Sequence, residues 1–169
     1  MKEFGNIESF VEHLTKVAAT EVLFARKALD KCARIVEKRA KEKIGEYQAQ
    51  AGPFIAWQEL ADSTKADRES KGFPENEPLL RTGDMRESIS RSLSTSGLEA
   101  QIGSDSDIAV FQELGTSKMP PRSFLGGAMA ESLPEIKAVL ADSLVGMLTV
   151  TNVETALLGD GVVSGGIKI

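Results

Sequence analysis

The chain holds one cysteine, one histidine, one tryptophan and one tyrosine in 169 residues. One histidine and one cysteine cannot build a Cys/His zinc site within one chain. Cys32 alone excludes a disulfide framework; in a helical apolar pattern it reads as a small core residue. No uncharged run approaches the roughly 20 residues of a membrane span. Glu3, Glu8 and Glu12 near the start argue against a signal peptide. Twenty basic against twenty-five acidic side chains leave a net charge of −5, and aromatics are only 5%. An acidic chain so poor in aromatics does not announce a nucleic-acid binder. What is present is ordinary globular composition, with 41% hydrophobic and 27% charged residues. The length favours one domain, because single cores commonly run about 100–200 residues. The expected compartment is the cytoplasm, or a particle assembled there.

Residues 6 to 44 read as one helix, or as two with a bend. Ile7, Phe10, Val11, Leu14, Val17, Ala18, Val22, Ala25, Leu29, Cys32, Val36, Ala40 and Ile44 recur at gaps of mostly three and four. Asn6 is the expected N-cap and Gly45 the expected stop. Such a helix is roughly 55–60 Å long, more than a small domain's diameter, so part of it needs a partner. The basic cluster from Arg34 to Lys43 is broken by Glu37, Glu42 and Glu46. It reads as a solvated helix face first and a phosphate-binding face second.

Gly52-Pro53 signals a turn. A short helix is expected from about Trp57 to Ser70, then a loop over 71–78. Thr82 is expected to cap a helix over Gly83 to Ser90, with Asp84 and Glu87 near the positive end of its dipole. The period then becomes two, through Ile89, Arg91, Leu93 and Thr95 and again through Leu98, Ala100 and Ile102. Ser96-Gly97 between them predicts a tight β-hairpin. A turn or two of helix follows over 105–114, ended by Gly115, and Pro120-Pro121 lies in a loop. Residues 127 to about 148 read as a second substantial helix, with Leu133, Ile136, Leu140, Leu144 and Met147 as its inward stripe. The expected class is α+β, with a small antiparallel sheet packed by helices. Its parts are a long N-terminal helix (1–50), a core (51–148) and a Gly-rich strand or mobile tail (149–169).

No catalytic constellation is legible. His13 is the only possible imidazole base, and it sits beside the stripe of the first helix, where a solvated or hydrogen-bonded role fits better. Cys32 is expected inward, away from any substrate. Asp105 and Asp107 supply too few oxygens for a hard cation and suit a turn. The glycines at 159, 161, 165 and 166 have the wrong spacing for a dinucleotide fingerprint. Catalytic, cofactor and metal residues are therefore assigned to none.

One connected pattern runs from residue 57 to about 130. It begins with Trp57, Leu60 and Thr64, and continues through Pro78-Leu79-Leu80-Arg81-Thr82-Gly83-x-Met85-Arg86-x-Ser88-Ile89. Ile102-Gly103-Ser104 and Ala109-x-Phe111-x-Glu113-x-Gly115-Thr116 follow. Met119-Pro120-Pro121-Arg122-x-Phe124-Leu125-x-x-Ala128 closes it. The order of these blocks resembles the tail-completion, or head–tail joining, family of minor tail and virion-morphogenesis proteins of long-tailed bacteriophages and prophages. The resemblance implies a structural protein without enzymatic activity or cofactor. It implies a homo-oligomeric ring, often hexameric, in the virion neck at the head-proximal end of the tail. That ring joins the tail tube protein to connector or stopper proteins and lets DNA pass without specific binding, with no membrane involved. The long first helix and the segment after Thr149 match no motif of that family.

Physical chemistry assigns roles within the blocks. Leu79, Leu80, Met85, Ile89, Ala109, Phe111, Phe124 and Leu125 are expected in the core, Met85 and Ile89 on one helix face. Glu113 is expected to accept backbone N–H bonds near Gly115-Thr116. Arg122 is expected to pair with Glu113 or with a neighbouring subunit. Arg81, Arg86, Glu113 and Arg122 are the candidate contacts to a subunit or partner, or else solvated surface groups. Trp57, Leu80, Thr82, Gly83, Met85, Ser88, Ile89, Phe111, Gly115, Pro121, Phe124 and Leu125 form the motif and its core. Two other classes of function remain: a nucleic-acid-binding assembly factor using the basic part of the first helix, and an unfamiliar hydrolase.

Overall fold

A computed structural model describes residues 6–157, with side chains through 149. Helix α1 (Ile7–Glu42) is unbroken over 36 residues, about 54 Å. Asn6 caps it: its side chain accepts from the Ser9 amide at 2.8 Å, and Ser9 answers in a reciprocal capping box. The chain leaves α1 at Lys43, and Gly45 turns it with a φ of 108°. Gly45 then donates its amide to Pro78 at 2.9 Å, which ties the helix end to the motif segment.

Five shorter elements follow. Helix α2 (Asp62–Ser70) starts later than expected, because residues 57–61 run outside regular structure. There the Trp57 amide bonds Gln48 at 2.9 Å and the indole enters the core. Helix α3 (Asp84–Ser88) is a single turn. Thr82 is not its N-cap. Gly83 holds that position in the left-handed region at φ 96°, and the Thr82 hydroxyl reaches the Asp84 amide only at 3.4 Å. Strands β1 (Ile89–Leu93) and β2 (Ala100–Ser104) pair antiparallel, Ile89 opposite Ser104 and Leu93 opposite Ala100. Their loop turns between Ser94 and Gly97, whose amide bonds the Ser94 carbonyl at 2.8 Å. Helix α4 (Asp107–Leu114) ends at Gly115.

Helix α5 (Leu125–Leu157) completes the fold. It carries helix through 149–157, where a strand or tail was expected; the remainder of that expectation, 158–169, lies outside the described residues. The α+β expectation holds: helices surround a two-stranded antiparallel sheet, and the long N-terminal helix packs on the C-terminal one. Contacts run Lys43–Glu131, Arg39–Ser132, Cys32–Val139 and Phe24–Ser143, so α1 and α5 are antiparallel.

Of the expected inward stripe of α5, Ile136 packs against the core and Met147 is half-buried, but the three leucines do not face inward. Ala128, Ser132 and Val139 are buried, while Leu133, Leu140 and Leu144 are exposed. Opposite them α1 offers Ala28, Cys32 and Ala33. Small side chains on both sides let the helices approach closely, and the leucines are displaced to the flank. The main core joins Val36 and Ala40 of α1, and Ile44 just beyond it, to Trp57, Met85, Ile89, Ala109, Phe124 and Ala128. It covers the C-terminal third of α1 only.

Candidate functional site

The motif residues form a framework around the start of α5. Phe124 is fully buried, and three successive amides open α5 behind it. Glu113 takes all three. Its Oε2 accepts from Phe124 at 2.8 Å and Leu125 at 2.9 Å, and its Oε1 from Gly126 at 2.9 Å. A carboxylate there meets both the orphan N–H groups and the positive end of the helix dipole. Glu113 does accept backbone bonds, but from α5 rather than from 115–116. The turn between α4 and α5 depends on Gly115, at φ 75°. A Cβ there would lie 2.8 Å from the Pro121 nitrogen, so Gly115 and Pro121 are one steric unit.

Arg122 is neither a surface contact nor the partner of Glu113. It is 4% exposed and donates through Nη2 to the carbonyls of Gln58 at 3.0 Å and Glu59 at 3.3 Å. It fastens the irregular segment after Trp57 to the α5 framework. Arg68 does similar work and was not singled out in the sequence. Buried on α2, it donates to the carbonyls of Glu77 at 2.6 Å and Leu80 at 2.8 Å, closing the 71–80 loop. Desolvation lowers the pKa of both guanidinium groups. No local pattern marks either role, because the acceptors are backbone carbonyls displaced in sequence.

Leu80 is half-buried against the core, while Met85 and Ile89 are buried in it as expected. The Ser88 hydroxyl bonds Ser104 at 2.6 Å, pinning the open end of the hairpin. Arg81 is exposed. It stacks 4.9 Å over the Phe73 ring and reaches Asp67 at 3.1 Å.

Arg86 lines a groove of about 510 Å³ between α1 and the α3–β1 segment. Arg34, Lys38, Lys41 and Arg91 also line it, against the carboxylates Glu37 and Glu42. The basic cluster of α1 is thus divided. Arg39 and Lys43 turn to α5, where Lys43 is buried and meets Glu131 at 2.7 Å. The groove cations are themselves paired: Arg34 with Asp30, Lys41 with Glu37, and Arg91 with both carboxylates. The Arg91 guanidinium is the main cause that lowers the carboxyl pKa of Asp30 and of Glu37.

His13 stands on α1 about 32 Å along the axis from Arg34, remote from the groove. Burial raises the Cys32 thiol pKa. Among the described residues no group of three or more His, Cys, Asp or Glu is placed to hold a metal. Among them, too, no helix is long and apolar enough to cross a membrane.

The outstanding surface is apolar. Phe111, expected in the core, is 54% exposed. Only Ala109 of α4 is buried, while Ile108, Val110 and Leu114 are also exposed. At 100° per residue these four side chains share one arc of α4, opposite Ala109 and Glu113. The short helix is inverted: its small and polar side faces the protein, and its apolar side faces out. A second apolar surface lies on the arm formed by the first half of α1 and the later part of α5. Ile7, Val11, Leu14 and Val22 of α1 are exposed there, as are Leu140, Leu144 and Leu148 of α5. Comparison with known proteins found no matching family model, curated protein or solved structure.

Proposed function

We propose that this chain is a structural protein of a bacteriophage virion. It forms a homo-oligomeric ring, six copies in the simplest case, at the head–tail neck. The ring joins the tail tube protein to connector or stopper proteins and leaves an axial channel that DNA passes without specific binding. Its place is the head-proximal end of the tail, after assembly in the host cytoplasm. Two things support this reading. The blocks that resemble the tail-completion family make one framework, with Arg122 holding the Trp57 segment and Glu113 holding α5. The observation that carries it is the pair of outward apolar surfaces, on α4 and on the α1–α5 arm. Exposed apolar area of this extent serves contact with other proteins.

The test is mass and imaging. The purified chain, alone and mixed with the tail tube and connector proteins of the same phage, is expected to form rings that cap tails. A chain that binds neither protein and caps no tail refutes the proposal.

The cationic groove favours a second reading, a nucleic-acid-binding assembly factor. Its carboxylates already pair several of the cations, so little free positive charge remains for phosphates. DNA affinity that falls steeply with salt, and falls further in Lys38→Gln with Arg86→Gln, would make that reading the better one.

A further inference from the structure

We propose that α4 of one copy docks in the apolar groove along the α1–α5 arm of the next copy. This rests on the reading of the chain as an assembling protein and names the contact that assembles it.

The apolar stripe of α1 is continuous. Its face is buried where Val36 and Ala40 meet the core and uncovered at Val11, Ala18 and Val22, which lie at the same angle on the helix. On α5, the residues that meet α1 are Ser132, Val139 and Ser143, and Leu140 and Leu144 lie about 90° to one side. Two antiparallel right-handed helices with those contact lines place the two uncovered flanks on the same side of their seam. Val22 and Ala18 form one wall of a groove, and Leu144 and Leu148 the other.

Such a groove takes an amphipathic helix whose apolar anchors share one face, three or four residues apart. Helix α4 presents Ile108, Phe111 and Leu114 at that spacing. It cannot fill the groove of its own chain. Ala109 holds α4 in the buried cluster that also contains Val36, its apolar arc points away from that core, and Val22 and Ala18 lie about 21 and 27 Å along α1 from Val36. Two complementary patches that cannot meet within one chain make a head-to-tail contact between copies, which closes into a ring when the rotation allows.

The area is adequate. The exposed apolar side chains of α4 offer on the order of 500 Å², a patch size that marks interaction sites. Buried against an equal area of the arm, it gives about 1,000 Å² in total, the lower bound for a specific interface.

The test uses two full-length double variants. Phe111→Glu with Leu114→Glu spoils α4, and Val22→Glu with Leu144→Glu spoils the groove. All four side chains are exposed, so thermal melting of each isolated variant should stay close to wild type. Sedimentation should show wild type self-associating and each variant alone weakened about 30-fold or more, the effect of losing one hot-spot side chain. Mixed, the two variants should form a one-to-one dimer and nothing larger, because one intact α4 meets one intact groove. Loss of association in only one variant would mean a symmetric α4–α4 or arm–arm contact and overturn the proposal. A monomeric mixture overturns it as well, as when residues 158–169 of the same chain, or only a tail protein, fill the groove. So does wild type that stays monomeric at the highest attainable concentration. Binding to tail tube and connector is scored separately, so loss of this contact and loss of the virion role are distinguishable.

Discussion

At the residue scale, Glu113 carries the most consequence. One carboxylate satisfies all three amides that open α5, and it does so from another helix. Glu113→Ala should cost about 2 kcal/mol, between a lost N-cap and several orphaned donors, seen as a lower denaturation midpoint. Glu113→Gln should cost less, because one oxygen still accepts. The glycines divide in a similar way. Gly115→Ala meets the Pro121 nitrogen at 2.8 Å and a positive φ together, whereas Gly83→Ala meets the positive φ with nothing within 4 Å. The Gly83 change should cost about 1 kcal/mol and the Gly115 change at least about 2 kcal/mol. Equal losses in urea denaturation would mean that the turn before Arg122 relaxes freely.

At the element scale, Arg91 is the link between the hairpin and α1. It reaches Asp30 at 3.2 Å and also bonds Glu37, one helical stretch away on the same face. Both carboxyl pKa values are depressed in the folded chain. Depressed carboxyls add stability above their unfolded values, near 4, and that stability is lost as pH falls through the folded values. Arg91→Met should therefore be less stable than wild type at pH 6–8 by a constant amount. The difference should shrink once pH drops below about 4. A difference that persists unchanged at pH 2.5 would assign the effect to packing of the arginine stem instead. This link also marks how far the elements were legible. The Asn6 cap, the α1 period, the hairpin and the Gly115 stop depend on neighbours in sequence, and they could be read. Arg68, Arg122 and the partner of Glu113 depend on carbonyls or amides brought close only by the fold. The inward face of α5 was legible at Ile136 but misread at Leu133, Leu140 and Leu144, because large apolar residues were taken as inward. Close helix approach selects Ala128, Ser132 and Val139 instead.

At the scale of the whole molecule, the two ends of α1 are differently supported. From Ala28 to Ala40 the helix is packed by α5, the hairpin and the core; from Ile7 to Leu23 it has apolar side chains but no buried residue. Its length was legible as a need for a partner, but the inversion of α4 was not, since Ile108, Phe111 and Leu114 look like any core helix until Ala109 shows which side is inside. An arm of this kind opens locally at low cost, because opening exposes little additional apolar surface. Amide hydrogen exchange in dilute solution should therefore be fast over residues 7–22 and slow over 28–43. At concentrations where the chain self-associates, the 7–22 amides should become protected, and those of 107–114 with them. Protection of both segments with the same concentration midpoint is what a shared contact requires. If the arm gains protection while α4 does not, the arm is stabilised by something other than α4. If residues 7–22 are already as slow as the core in the dilute monomer, the arm is held within its own chain, and its apolar flank is not waiting for a neighbour.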